Sequence, residues 1–198
     1  MSARSPALPL PLLLGFVAFL ATLIVLVAAS FARRDIAAFA PDAARPEAAP
    51  WDRLTDDTLT VDARDPGRWQ FIDLARGTVL EPPDTAGWDL AVRRFHVITS
   101  GDVTVAEGAR FEDVFEAPDD GYLSTAFGAD TVNAALARWY RYSFLSHLLH
   151  PLERVWVLRT RDRRYVRFTV LSYYCPGLIA GCLTLRYQYQ PDGSRAFR

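Results

Sequence analysis

Alternating apolar and polar residues dominate the C-terminal part of the chain. Three runs of β-branched and aromatic residues occur there, at 155–160, 165–174 and 183–190. In the last run every second residue from Leu183 to Tyr189 is leucine or tyrosine, and polar residues lie between them. This period of two predicts a strand with one buried and one solvent-facing side. The three runs, separated by a charged turn at 161–164 and a loop at 175–182, predict an antiparallel meander.

The preceding residues show shorter β-prone runs and one stretch with helical spacing. The runs lie at 58–61, 69–74, 78–80, 88–99 and 103–117, the last with one or two strands, and a turn at 81–84 separates the third from the fourth. From Asp130 to Leu149 apolar residues recur at helical spacing after a capping pair, Asp130 and Thr131, and Pro151 ends the pattern. The pattern therefore predicts a mainly β fold, an antiparallel β domain with one helix, over residues 51–198.

An uncharged apolar segment lies near the N-terminus. Residues 12–29 are long enough to cross a hydrocarbon layer of about 30 Å. A cleaved signal peptide is the alternative, but its apolar region is shorter and ends in an Ala-x-Ala site, which residues 28–32 match poorly. We interpret residues 1–34 as a transmembrane anchor that contacts the bilayer through residues 12–29. Its small residues share a face suited to packing against partner helices: Gly15, Ala18, Ala21 and Thr22.

Residues 35–50 are rich in alanine and proline. Such a composition cannot bury a core, and it favours an extended, partly polyproline-like chain. We therefore interpret this stretch as a linker between the anchor and a β domain that begins at Trp51.

The two cysteines bear on the cellular compartment. Cys175 and Cys182 lie at the ends of adjacent predicted strands, so a disulfide could join them across a hairpin. Two reduced thiols are the alternative, and zinc lacks further ligands nearby. Arg33 and Arg34 after the apolar segment mildly favour a cytoplasmic C-terminus. A disulfide indicates an oxidising space, so we expect a single-pass protein of the bacterial inner membrane with its C-terminal domain in the periplasm.

Charge and motifs exclude several functions. The net charge is −1 and the chain contains no lysine, so no basic surface indicates nucleic acid. No Gly-x-Ser-x-Gly, phosphate loop or dinucleotide-binding glycine motif occurs. No histidine lies beside a serine that could act as a nucleophile. We expect no enzymatic activity, no bound metal and no required cofactor.

Three segments resemble the HmuY-like family. They are Trp-Gln-Phe-Ile-Asp-Leu-Ala-Arg-Gly at 69–77, Trp-Asp-Leu-Ala-Val-Arg-Arg-Phe at 88–95, and the tyrosine-rich stretch at 173–190. The resemblance covers roughly residues 51–197 and implies an all-β domain on the outer side of a bacterial membrane. The founding members bind haem through two histidines and carry a lipid anchor. This chain has an apolar segment instead, and its turn at 161–164 lacks the usual glycine.

The histidines do not align with the ligands of that family. His147 and His150 lie three residues apart in the predicted helix, so they would share one face and could ligate haem or a metal together. A helix C-terminus also favours a partly charged imidazole without any ligand. His96 lies in a β-prone run. The many aromatic residues suit interfaces and tetrapyrrole pockets, and they also suit a small β core.

Two functions remain. The first is a non-catalytic accessory subunit that docks on and stabilises other integral membrane proteins of a larger complex, such as an electron-transfer or light-harvesting assembly. It rests on the membrane segment, the short linker and the missing catalytic motifs. The alternative is a haem- or tetrapyrrole-binding protein of the HmuY type.

Overall fold

The computed structural model describes residues 9–31, 36–43, 54–80, 87–106 and 109–197. The domain start at Trp51, the linker residues 44–50 and the turn at 81–84 lie outside these ranges. The chain divides into two units: one contains residues 1–35 together with 142–148, and the other contains residues 36–141 and 149–198.

The N-terminal apolar segment forms helix α1, Leu10–Phe31. Its 22 residues span about 33 Å at 1.5 Å per residue. The stretch Leu10–Ala29 has a mean hydropathy of 2.9, and none of it is buried within the protein. Pro9 accepts the N–H groups of Leu12 and Leu13 at 2.9 and 3.3 Å, so the first turn needs no donor from Pro11. The helix is long and apolar enough to cross a membrane.

Twelve strands, joined by turns and loops, follow in the other described residues. They are β1 Thr55–Asp62, β2 Gln70–Asp73, β3 Thr78–Leu80, β4 Leu90–Arg93, β5 His96–Thr99, β6 Asp102–Ala106, β7 Leu123–Ser124, β8 Tyr140–Ser143, β9 Leu148–Pro151, β10 Val155–Arg159, β11 Tyr165–Cys175 and β12 Ile179–Gln190. A 3-10 turn spans Phe111–Asp113. The prediction of a mainly β, antiparallel domain after one N-terminal apolar helix is confirmed.

The larger sheet has six strands in the order β1-β12-β11-β10-β6-β7. Its centre is the predicted meander, with Trp156 opposite Phe168 and Phe168 opposite Tyr187. The charged turn between β10 and β11 closes through Arg163, which adopts a left-handed φ of 60°. An arginine therefore occupies the type of position for which glycine is preferred.

The smaller sheet has the order β3-β2-β4-β5. The run at 88–99 is a hairpin of two short strands, because Arg93 pairs with His96 across a two-residue turn. Arg94 has a φ of 53° in this turn. Two-residue hairpin turns usually carry Asn or Gly at such positions, so the residue types did not indicate where the run divides.

The predicted helix at residues 130–149 is wrong. Turns occupy residues 134–138, and the two-stranded sheet of β8 and β9 follows. Thr131 donates its hydroxyl back to Gly128 O at 3.0 Å. The fully buried Asn133 accepts the N–H of Ala135 at 3.0 Å and donates to Leu123 O at 3.1 Å. Long-range hydrogen bonds and burial thus override the local spacing.

Aromatic and aliphatic side chains fill the core together. Its largest fully buried members are Trp139, Trp156, Tyr173, Tyr187, Phe168, Ile72, Leu74, Leu90, Leu136, Leu158, Leu183 and Leu185. Trp139 and the four tyrosines at 173, 174, 187 and 189 are therefore core residues, whereas Tyr142 and Phe144 are exposed. The polar side of β12 is less exposed than its alternation predicts, since Thr184 is buried and its hydroxyl lies 3.1 Å from that of Thr60.

Residues 36–43, which belong to the predicted linker, are bonded to the β domain. Phe39 N donates to Tyr174 O at 2.9 Å. Asp42 N donates to Thr60 O at 2.9 Å, and Asp42 Oδ2 accepts Thr60 N–H at 2.7 Å. This short segment therefore behaves as an added, irregular edge of the sheet and not as a free spacer.

Candidate functional site

The cysteine pair forms the predicted disulfide. The bond joins Cys175, the last residue of β11, to Cys182 in β12, and the two Cα atoms lie 5.0 Å apart. Both residues are buried. The pair therefore closes the β11–β12 hairpin at its turn end and leaves no free thiol in the chain.

The two candidate histidine ligands do not share a helical face. His147 lies in the turn between β8 and β9 and is exposed, whereas His150 is a half-buried residue of β9. The geometry that motivated their joint ligation is absent, because residues 130–149 form no helix. His96 begins β5 and is exposed. Partial burial, and then the charge of Arg93, lowers the pKa of His96.

Residues 142–148, here named the aromatic tip, form an ordered apolar turn. The Tyr142 hydroxyl lies 2.7 Å from His147 Nδ1, and the Tyr142 and Phe144 rings meet edge to face at 5.1 Å. His147 has a left-handed φ of 55°. The tip nevertheless presents its apolar side chains outward, with Phe144 83% exposed and Leu145 62% exposed.

A buried carboxyl group lies in the smaller sheet. Asp89 is buried and its Oδ2 accepts the N–H of Leu74 at 2.8 Å. Burial raises the pKa of Asp89 to about 7, and the charges of Asp73 and Asp162 add to this effect. Burial also raises the pKa of Asp73. Because its side-chain oxygen accepts a backbone N–H, Asp89 supports a turn.

Three open clefts occur in the described part of the chain. One, of about 390 Å³, is largely apolar and is lined by residues such as Leu152, Val155 and Leu171. The other two, of about 620 and 520 Å³, are lined mainly by polar and charged residues, including the ion pairs Asp62–Arg64 and Asp102–Arg159. No histidine or cysteine lines these three clefts. Among the described residues no three His, Cys, Asp or Glu side chains cluster as a metal site would require.

The small residues of α1 lie on one side of the helix. Their spacing of three and four residues from Gly15 to Thr22 places them on a common face. The Thr22 hydroxyl donates to Ala18 O at 2.9 Å, which satisfies it within the helix. No described atom lies within 4 Å of a Cβ built on Gly15. The face predicted to pack against partner helices is therefore uncovered in the described structure, and its packing stays a prediction.

Comparison with solved structures bears on the β domain. No protein-family model matches the sequence, and neither does any curated protein. A structure of the apo HmuY analogue of Tannerella forsythia matches with a TM-score of 0.59 at 17% identity, over 71% of this chain and 98% of that chain. The β domain has an HmuY-like fold.

Two other structures with this fold also match. A protein from Bacteroides vulgatus assigned as an HmuY-like haem-binding protein has a TM-score of 0.56 at 22% identity, over 67% of this chain and 90% of its own. A protein from Bacteroides fragilis assigned as a lipoprotein has a TM-score of 0.57 at 21% identity, over 67% of this chain and 88% of its own. At these identities the comparison establishes the HmuY-like fold alone.

The sequence pattern did not predict the aromatic tip of the HmuY-like domain. One signal was available: residues 131–152 contain no acidic residue, although the chain as a whole has 23. The apolar pair Phe144 and Leu145 lies in the middle of this stretch. The helical spacing predicted that these residues lie on one face of a helix. It did not predict that they form an exposed turn.

Proposed function

We propose that this protein is a non-enzymatic, membrane-anchored accessory subunit that docks on other integral membrane proteins of a bacterial complex and stabilises it. The observation that carries the proposal is the uncovered small-residue face of α1. A helix that only anchors a domain in lipid needs no such face, whereas close helix packing in membranes depends on small residues. No described atom lies within 4 Å of a Cβ built on Gly15, so a neighbouring backbone could approach the helix there.

The HmuY-like domain supports the same proposal. Its described residues contain a disulfide and a core with several large aromatic side chains. The disulfide supports a periplasmic location, since such bonds persist in oxidising compartments. We therefore propose that α1 spans the inner membrane once and that the domain lies in the periplasm.

Co-purification from membranes tests this function. Full-length tagged protein is extracted in a mild detergent, and the co-purifying chains are identified by mass spectrometry. Gly15→Leu and Ala18→Leu should each reduce the partner chains, because the added side chain separates the helices. Leu20→Phe enlarges a residue on the opposite side of α1 and should leave them unchanged. Wild-type protein that is strictly monomeric would contradict the proposal.

A second candidate function, haem or tetrapyrrole binding, is favoured by the aromatic tip. The matching structures from Tannerella forsythia and Bacteroides vulgatus are an HmuY analogue and a protein assigned to haem binding. In this chain the Tyr142 hydroxyl orients His147 through Nδ1, which leaves Nε2 as the nitrogen that could bind iron. Phe144 offers an exposed ring for the flat macrocycle. The tip thus fits one axial ligand, and an enclosed pocket lined by histidine is not found among the three clefts.

Haem titration of the full-length protein in detergent tests this candidate. A shift of the Soret band that saturates at one equivalent, and that His147→Ala abolishes, would support it. His150→Ala tests whether the half-buried imidazole is the second ligand. His96→Ala, on a different hairpin, serves as the control. An unchanged Soret band, or one that His147→Ala does not affect, removes ligation by this residue.

A further inference from the structure

We propose that the aromatic tip is a second membrane contact, which seats Tyr142, Phe144 and Leu145 in the headgroup region of the bilayer that holds α1. This inference goes beyond the accessory function, because it assigns a lipid-binding surface to the HmuY-like domain itself. The occupant is the lipid interface, and neither a protein partner nor a haem.

The first argument is the exposure of the tip. Phe144, Leu145 and Tyr142 are 83%, 62% and 41% exposed, and they lie within four consecutive residues. A large apolar cluster at the end of a hairpin is unfavourable in water, and it commonly marks an interaction surface. Tyrosine, whose ring is apolar and whose hydroxyl is polar, is enriched at the boundary between lipid and water.

The second argument is charge. Arg138 and Arg141 come shortly before the tip in the sequence and are exposed, and no acidic residue occurs between residues 131 and 152. In the described ranges neither arginine has a carboxylate within ion-pair distance. Apolar side chains flanked by unpaired cations match an interface of anionic headgroups above acyl chains.

The third argument is that the tip belongs to a chain that carries α1, a helix long and apolar enough to cross a membrane. A lipid contact made by a domain that is tethered in this way needs little affinity of its own.

The tip also has a fixed shape before any contact forms. The bond from the Tyr142 hydroxyl to His147 Nδ1 and the bond from Ser146 N to Ser143 Oγ, at 3.3 Å, both close the turn. A preordered turn loses less conformational entropy when it inserts. Insertion also removes His147 and Phe144 from water, so a tip seated in lipid is not at the same time the haem site.

Fluorescence quenching in vesicles tests the inference. Full-length Leu145→Cys protein is labelled with an environment-sensitive fluorophore and reconstituted, without haem, in vesicles of phosphatidylcholine and phosphatidylglycerol. Phe127→Cys is the matched control, because Phe127 is 67% exposed and lies in a different loop. Labelling under non-reducing conditions leaves the disulfide intact. Lipids with a nitroxide near the headgroup report lipid contact, and iodide reports contact with water.

The expected result is a blue-shifted emission at position 145 with several-fold stronger quenching by the nitroxide lipid than at position 127. Adding Phe144→Asp to the Leu145→Cys protein should return the emission to that of the control. Replacing the anionic lipid with phosphatidylcholine, or both arginines with glutamine, should weaken the quenching. Quenching by iodide at both positions overturns the inference. Protection from both quenchers also overturns it, since a protein then covers the tip.

Discussion

Arg167 and Phe111 are joined by two contacts. Arg167 Nη1 donates to the main-chain oxygen of Phe111 at 2.6 Å, and the guanidinium carbon lies 4.5 Å from the centre of the Phe111 ring. The same nitrogen donates to Val114 O at 2.7 Å, and Nε donates to Gln188 Oε1 at 2.6 Å. A single buried side chain of β11 thereby holds the 3-10 turn against the larger sheet.

Replacing Arg167 should destabilise the domain. Arg167 is 7% exposed, and burial lowers the pKa of its guanidinium group. Arg167→Met should leave the two carbonyl oxygens without donors and lower the free energy of unfolding by about 2–4 kcal/mol. Arg167→Lys should recover part of this loss, because the lysine ammonium group can still donate, although from one nitrogen and not from the several nitrogens of a guanidinium.

Chemical denaturation of the full-length protein in detergent measures the effect of these variants. Arg110→Gln is the matched control, because Arg110 lies next to the same turn and its side chain is 83% exposed. It should leave the denaturation midpoint nearly unchanged. Equal midpoints for the Arg167→Met and Arg110→Gln variants would show that the buried contacts carry no net stability.

The buried carboxyl of Asp89 should make stability depend on pH. Burial raises its pKa from 3.8 to about 7 in the folded chain. The unfolded chain loses this proton first as the pH rises, so the free energy of unfolding should fall between about pH 4 and pH 7 and level off above. The size of this decrease is on the order of 4 kcal/mol.

The Asp89→Asn variant isolates this effect. An amide oxygen can still accept the N–H of Leu74, and it carries no charge to bury. We expect a flatter pH profile than that of the wild type and higher stability above pH 7. Asp120→Asn, at an exposed position, is the control. Wild-type and Asp89→Asn proteins with the same slope between pH 4 and pH 7 would refute the prediction.

The disulfide should contribute to stability and report the compartment. Removing both sulfurs with Cys175→Ser and Cys182→Ser should lower the free energy of unfolding by about 2–3 kcal/mol, because the bond closes a short loop. In protein taken from intact cells, a thiol-reactive label should attach only after reduction. Labelling before reduction would place the HmuY-like domain in a reducing space.

The docked segment at residues 36–43 should open when Asp42 is replaced. Asp42→Ala removes the acceptor for Thr60 N, which should cost about 1 kcal/mol locally. We expect faster limited proteolysis between residues 36 and 50 with little change in global unfolding. Pro41→Ala, which leaves both hydrogen bonds between Asp42 and Thr60 in place, is the control. Equal cleavage rates for the two variants would show that the Asp42 contact does not hold the segment.

The strands of the larger sheet were predictable because their signal is local. The alternation in β12, the β-branched runs of β10 and β11, and the cysteines at the ends of neighbouring strands each depend on residues close in sequence. The same holds for α1, since twenty uncharged apolar residues have few other folded states. The hairpin turn at Arg94 was not predictable, because a charged residue there takes a backbone conformation that favours glycine.

The sequence by itself determined an apolar helix, a mainly β domain and the cysteine pair, since each follows from periodicity or spacing along the chain. Only the tertiary structure decided residues 130–149, where the side chains of Asn133 and Trp139 bond to distant backbone oxygens of Leu123 and Phe95. Helical spacing describes which residues would align if a helix formed. It does not include the burial and hydrogen bonds that another conformation gains. These interactions favour the observed turns and hairpin, so the residues predicted to share a ligand-binding helix face lie in and next to an exposed hairpin tip.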